Sequence, residues 1–182
     1  MSEKGMLGAW SGWDFTPSKE AKAAFEQSLG KLLGVKYTLV ASKSQLVNGT
    51  NYAFLCEAEV VAPAGADYIV KAQVYVPLKG NAVIHQIKNV GPKPGPGFGS
   101  WNNWDFTVSR RAMGVFKLAT KEFYGASYKP LANTTQIVAG MNYCFLCEMS
   151  PAIWHPNPSP VLVWIDMPLQ GTPHITGITP IS

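Results

Sequence analysis

Charge is scarce in this sequence. Asp, Glu, Lys and Arg make up 14% of its 182 residues, against about a quarter in ordinary soluble domains. The formal net charge is only +4 and is evenly shared, with nine Lys/Arg against seven Asp/Glu in residues 1–91 and six against four in 92–182. There is no basic run, and the aromatics do not alternate with arginine, so the electrostatic footprint of a nucleic-acid binder is missing. Cysteine is nearly absent too. The odd count of three, Cys56, Cys144 and Cys147, gives no disulfide framework and points to buried free thiols in a reducing compartment. No stretch approaches the ~20 apolar residues of a membrane helix. Met1 to Leu7 lack the apolar core of a signal peptide. The expectation is a soluble, cytoplasmic chain, or a secreted one if a leader precedes it. What is abundant is apolar: 47% hydrophobic and 12% aromatic is enough for packed cores and argues against disorder.

The sequence also repeats itself at a constant offset of 91 residues. Trp10-Ser11-Gly12-Trp13-Asp14-Phe15-Thr16 returns as Trp101-Asn102-Asn103-Trp104-Asp105-Phe106-Thr107. Gln45-Leu46-Val47-Asn48-Gly49 returns as Gln136-Ile137-Val138-Ala139-Gly140, and Pro77-Leu78-Lys79-Gly80 as Pro168-Leu169-Gln170-Gly171. The register holds from Trp10/Trp101 to Ile87/Ile178. Two copies of one fold follow, and a feature present in one copy alone is a poor candidate for a shared mechanism.

Each copy opens with an aromatic arm, Trp10 to Phe15 in the first. Thr16-Pro17-Ser18 then reads as a helix start, with a capping hydroxyl and proline at the first helical position. Ala21, Ala24, Phe25, Leu29, Leu32 and Leu33 form a helical stripe ended by Gly34; Ala112, Val115, Phe116, Ala119 and Phe123 draw the same stripe, ended by Gly125. The period then changes to two. Strands are expected at Lys36–Val47, Thr50–Val60, Asp67–Val76 and Ala82–Val90. Asn48-Gly49 reads as a two-residue primed turn between the first pair, and Pro77-Leu78-Lys79-Gly80 as the later turn. The unit is one helix on a four- to five-stranded antiparallel sheet, an α+β domain. Residues 1–90 form the first repeat and 99–182 the second. The Pro/Gly run of 91–98 is a semi-extended linker at roughly 3 Å per residue.

The residues offer little to catalysis. His85, His155 and His174 align with Thr176, Ala64 and Val83 in the other copy, and none neighbours a repeated serine, cysteine or acid. Cys144 and Cys147, three apart on a strand, point to opposite faces and do not chelate together. Glu57 and Glu148 match but read as sheet-surface charges. No glycine-rich phosphate loop precedes a helix. Neither an enzyme, a metal site nor a cofactor is expected.

The Gln45–Gly49 and Gln136–Gly140 segments resemble the glutamine-x-valine-x-glycine hairpin of cystatins, the protein inhibitors of papain-like cysteine proteases. Asn51-Tyr52 and Asn142-Tyr143 strengthen the likeness, and the order of arm, helix and two hairpins also matches. The resemblance implies tandem cystatin-like domains, each with a protease-binding wedge. In the first copy the wedge comprises the arm residues Leu7 and Gly8, the hairpin Gln45, Leu46, Val47, Asn48 and Gly49, and the second turn at Pro77 and Leu78. In the second copy it comprises Phe98 and Gly99, Gln136, Ile137, Val138, Ala139 and Gly140, and Pro168 and Leu169. Glycine at the tip would let the hairpin enter a narrow cleft, and Trp10 and Trp101 serve either wedge or core. The partner is then a papain-like cysteine protease, inhibited reversibly, with the first copy the stronger head. A non-inhibitory interaction module of the same shape is the alternative, as is a tandem inhibitor of a metallocarboxypeptidase.

Overall fold

The computed structural model describes residues 7–182. It is an α+β structure with two α-helices and two four-stranded antiparallel sheets, and the chain divides between Val90 and Gly91. In the first unit, helix α1 (Lys19–Gln27) precedes β1 (Val35–Val47), β2 (Gly49–Val60), β3 (Asp67–Val76) and β4 (Val83–Val90), paired in chain order. In the second, α2 (Arg110–Thr120) precedes β5 (Ala126–Val138), β6 (Gly140–Pro151), β7 (Ser159–Met167) and β8 (His174–Pro180), also in chain order. The strands expected from two-residue alternation in the first unit differ from these by no more than one residue at either end. Among the described residues no helix is long and apolar enough to cross a membrane.

The helices start later and stop sooner than the sequence suggests. Asp14 accepts from the Thr16 N–H at 2.8 Å, which ties Thr16 into a local turn upstream of the helix. The hydroxyl that caps α1 is therefore Ser18, whose Oγ accepts from the Ala21 N–H at 3.1 Å; Ser109 does the same for Ala112 at 3.1 Å. Pro17 precedes the cap and is not the first helical residue, and Val108 occupies its place in the second unit. At the far end the Ser28 hydroxyl donates to the Ala24 carbonyl at 2.7 Å, and the chain leaves α-geometry there for a single 3₁₀ turn, Leu29–Lys31. Leu29 remains buried, but Leu32 and Leu33 are exposed, as is Phe123 beyond the end of α2. Those three leave the proposed core stripe because the helix no longer carries them towards the sheet.

The cores lie between each helix and one face of its sheet. Ala21, Ala24, Phe25 and Leu29 pack on Phe54, Cys56, Ala58, Val70, Ala72 and Val74. Ala112, Val115 and Phe116 pack on Tyr143, Phe145, Cys147, Val161, Val163 and Ile165. Phe25 meets Phe54 edge-on at 5.8 Å between ring centroids, and Phe116 meets Phe145 at 5.0 Å. Small alanines on the helix let each aromatic pair approach closely. Cys147 lies within this core while Cys144, three residues earlier on β6, is buried outside it, so the two thiols stand on opposite faces. Burial raises the pKa of all three thiols, keeping them protonated and unreactive.

The arm is not a full fifth strand. It touches β1 through isolated bridges, Trp10 with Gln45 and Asp14 with Ser42, and repeats this on β5 through Trp101 with Gln136 and Asp105 with Asn133. The core tryptophan of each arm is the second one, Trp13 or Trp104, which is buried. Trp10 is exposed with the Lys43 ammonium 5.2 Å from its ring centre, and Trp101 packs edge-on against Trp164. The segment read as a linker begins as part of the second unit: the Trp104 indole N–H donates to the Pro92 carbonyl at 2.8 Å, and Pro92 is buried.

Ser18→Ala is expected to destabilise the first unit by about 1 kcal/mol, whereas Thr16→Ala, at an exposed position, should leave the urea midpoint of the full chain nearly unchanged.

Candidate functional site

At one end of each sheet the arm, the β1–β2 hairpin and the β3–β4 turn come together. The hairpin register pairs Leu46 with Thr50 and Val47 with Gly49, so the bend centres on Asn48. Only Gly49 has a positive φ, +107°, which rules out the expected two-residue primed turn. Since Asn48 stays in ordinary backbone space, alanine replaces it as Ala139 without strain. The glycine has a duty within the unit that the sequence does not show. A Cβ on Gly49 would lie 2.5 Å from the Val76 carbonyl oxygen and 3.0 Å from the Pro77 Cα. On Gly140 it would lie 2.4 Å from the Met167 carbonyl oxygen and 3.1 Å from the Pro168 Cα. Glycine here lets the first hairpin lie against the start of the second turn. Gly49 is itself buried.

The glutamine that opens the motif holds the arm. Gln45 Nε2 donates to the Gly8 carbonyl at 2.9 Å, while its Oε1 accepts from Asn51 Nδ2 at 2.8 Å. The second unit repeats both bonds: Gln136 to the Gly99 carbonyl at 2.8 Å, and Asn142 to Gln136 at 3.0 Å. Asn51 is the cross-strand neighbour of Gln45, as Asn142 is of Gln136. One amide thus fixes the orientation of another, and the second fixes the arm. The Gly8 N–H also donates to the Leu46 carbonyl at 2.9 Å. Gly8 and Gly99 both take positive φ, +85° and +78°, a conformation that suits glycine. Around Gly99 the chain turns: Ser100 Oγ donates to the Pro96 carbonyl at 2.6 Å, and the Gly95 N–H to the Trp101 carbonyl at 3.2 Å.

This scaffold projects apolar side chains into solvent. Leu7 is 79% exposed, Leu46 51% and Leu78 77%, while Val47 and Pro77 are half-buried and Asn48 is exposed. In the second unit Ile137 is 56% exposed and Leu169 80%, Phe98 is fully exposed, Val138 and Ala139 are exposed, and Pro168 is half-buried. A groove of about 260 Å³ lies between Phe98, Gly99, Asn102 and Ile137. Large apolar groups are thus exposed on backbone that is held by internal hydrogen bonds. The arrangement supplies apolar contact area on rigid turns, the property that limits the ordering cost of association. Two residues of this end escape the sequence reading: Asn51 as the partner of Gln45, and Tyr75, whose hydroxyl donates to the Asn48 carbonyl. The Gln and Asn six apart in both copies were a readable signal for the first. Tyr75 has no such signal, because Asp166 replaces it.

No protein-family model matches this chain, and no curated protein is significantly similar to it.

The matched acids are only partly exposed. Glu57 and Glu148 are half-buried within β2 and β6. Burial, reinforced by the Glu59 charge, raises the Glu57 carboxyl to about 7 from its ordinary 4.5. A carboxyl raised on folding contributes stability that is complete below about pH 4.5 and is lost as pH rises through about 7. Glu57→Gln is expected to abolish this slope, matching the parent Tm in acid and exceeding it above neutrality. A variant that keeps the parent's pH slope would place the titration elsewhere. Gln45→Ala is expected to speed amide exchange at Gly8 roughly fivefold, the effect of losing about 1 kcal/mol of hydrogen bonding, with Gly99 unaffected.

Proposed function

We propose that the chain is a tandem cystatin-like protein that reversibly inhibits papain-like cysteine proteases, each unit binding through its hairpin end. The observation that carries this reading is the meeting of arm, first hairpin and second turn at one end of each sheet, each presenting an exposed apolar side chain. Such an end enters a cleft without offering a good substrate. A cysteine protease needs an extended peptide whose carbonyl oxygen is free to take up developing negative charge. The Gly8 carbonyl is already bonded to Gln45 and the Leu46 carbonyl to the Gly8 N–H. The left-handed backbone of Gly8 further departs from an extended substrate. The inhibitor therefore survives its own binding.

A second reading is a cystatin-fold module that contacts some other protein and inhibits nothing. One observation favours it: Gln45 and Gly49 each have an internal task, arm-holding and close packing, that accounts for them without any protease.

Titrating papain with the purified chain separates the two. Inhibition is expected to be reversible, with the inhibitor recovered at its full mass. The informative substitutions are at the exposed anchors, since a side chain at Gly49 would collide with Val76. Leu46→Asp with Leu78→Asp should disable the first head, and Ile137→Asp with Leu169→Asp the second. Each lost anchor weakens its head about tenfold to a hundredfold, the effect of 1–3 kcal/mol at an interface. An unmutated chain that leaves papain untouched at high micromolar concentration would transfer the case to the interaction module.

A further inference from the structure

The two hairpin tips are not held alike. In the first unit a side chain from β3 reaches the tip: Tyr75 donates its hydroxyl hydrogen to the Asn48 carbonyl. Its Cε2 lies 3.0 Å from the position a Cβ on Gly49 would take, and its ring packs against His85 at 6.2 Å between centroids. The second unit has Asp166 at this place, paired with Asn142 as Tyr75 is paired with Asn51. A carboxylate has no hydrogen to give a carbonyl. Asp166 turns instead to His174 of β8, 3.7 Å away, and so joins the two strands of the second hairpin to each other. At the tip, Ala139 stands where Asn48 does.

We propose that Tyr75 is a positioning residue: it pins the first unit's hairpin tip to β3 and makes that unit the tighter-binding head. The ranking rests on the protease reading above; the tether does not. A tip already held in place has less motion to lose when a partner encloses it. A hydrogen bond of this kind shifts a local equilibrium by about three- to tenfold. The second tip retains the backbone packing of Gly140 on Met167 and Pro168 and lacks this added restraint.

The test uses the full chain and two readouts. Backbone ¹⁵N order parameters report the tips directly. Inhibition of papain, measured with one head disabled at a time by the aspartate pairs, reports the ranking. In the parent chain Asn48 and Gly49 are expected to be more ordered than Ala139 and Gly140. Tyr75→Phe keeps the ring and removes only the hydroxyl; it should lower order at Asn48 and Gly49 and weaken the first head about three- to tenfold. Asp166→Tyr should raise order at Ala139 and Gly140 and strengthen the second head, which a merely structural role for Tyr75 would not produce. Unchanged tip order in Tyr75→Phe overturns the tether. Lowered tip order with undiminished inhibition by the first head overturns the ranking. If the tips respond as expected but neither head inhibits, the protease reading falls together with the ranking, and the tether stands.

Discussion

The side-chain amide of Gln45 joins three segments of the chain, the arm, β1 and β2, and its twin Gln136 does so again in the second unit. Its nitrogen takes the carbonyl of the arm glycine, its oxygen takes the amide of Asn51, and its backbone belongs to the end of β1. An amide is suited to this because it is donor and acceptor at once, without the desolvation cost of a charge. Glutamate would repel the Gly8 carbonyl, and lysine would leave Asn51 without its acceptor. The contribution of any one such bond to stability is small. Its importance is geometric: it is the side-chain bond that holds Gly8 against the hairpin, beside the apolar groups of the arm and the tip.

Comparison of the two copies separates what this geometry requires from what it tolerates. Gln, Asn and the hairpin glycine persist because each meets a partner within hydrogen-bonding or contact distance. Pro17 gives way to Val108 because the position precedes the cap and makes no demand for a missing N–H. Asn48 gives way to Ala139 because the bend asks nothing left-handed of it. Glu20 in the first turn of α1 is replaced by Arg111 in α2, a swap the exposed start of a helix accommodates once Ser18 or Ser109 has satisfied an end N–H.

Much of this was legible in the sequence, and unevenly so. Strand limits were, because two-residue alternation stops abruptly at Gly49, Pro77 and the Pro/Gly run after Val90. Helix limits were not. The stripe of leucines through Leu33 has correct helical spacing, and nothing in spacing reveals that the Ser28 hydroxyl turns back on Ala24 and ends the α-helix there. Apolar residues at the hairpins were legible as apolar from composition, and as exposed only on the expectation that the tips form a wedge. The internal roles of glycine and glutamine were hidden for a common reason. A motif read on its own suggests an outward purpose, whereas the constraint on Gly49 comes from Val76, and that on Gln45 from Gly8, each many residues distant.

The arm has one more consequence. It runs beside Ser42, Ser44 and Leu46, occupying the outward hydrogen-bonding groups of the last stretch of β1. It is therefore also a cover for an edge strand, whose unpaired N–H and C=O groups are otherwise a template for a strand from another molecule. Whatever draws the arm aside, by displacement or by cleavage, bares that template. Integrity of the arm and cover of this stretch of edge are thus set by the same few bonds.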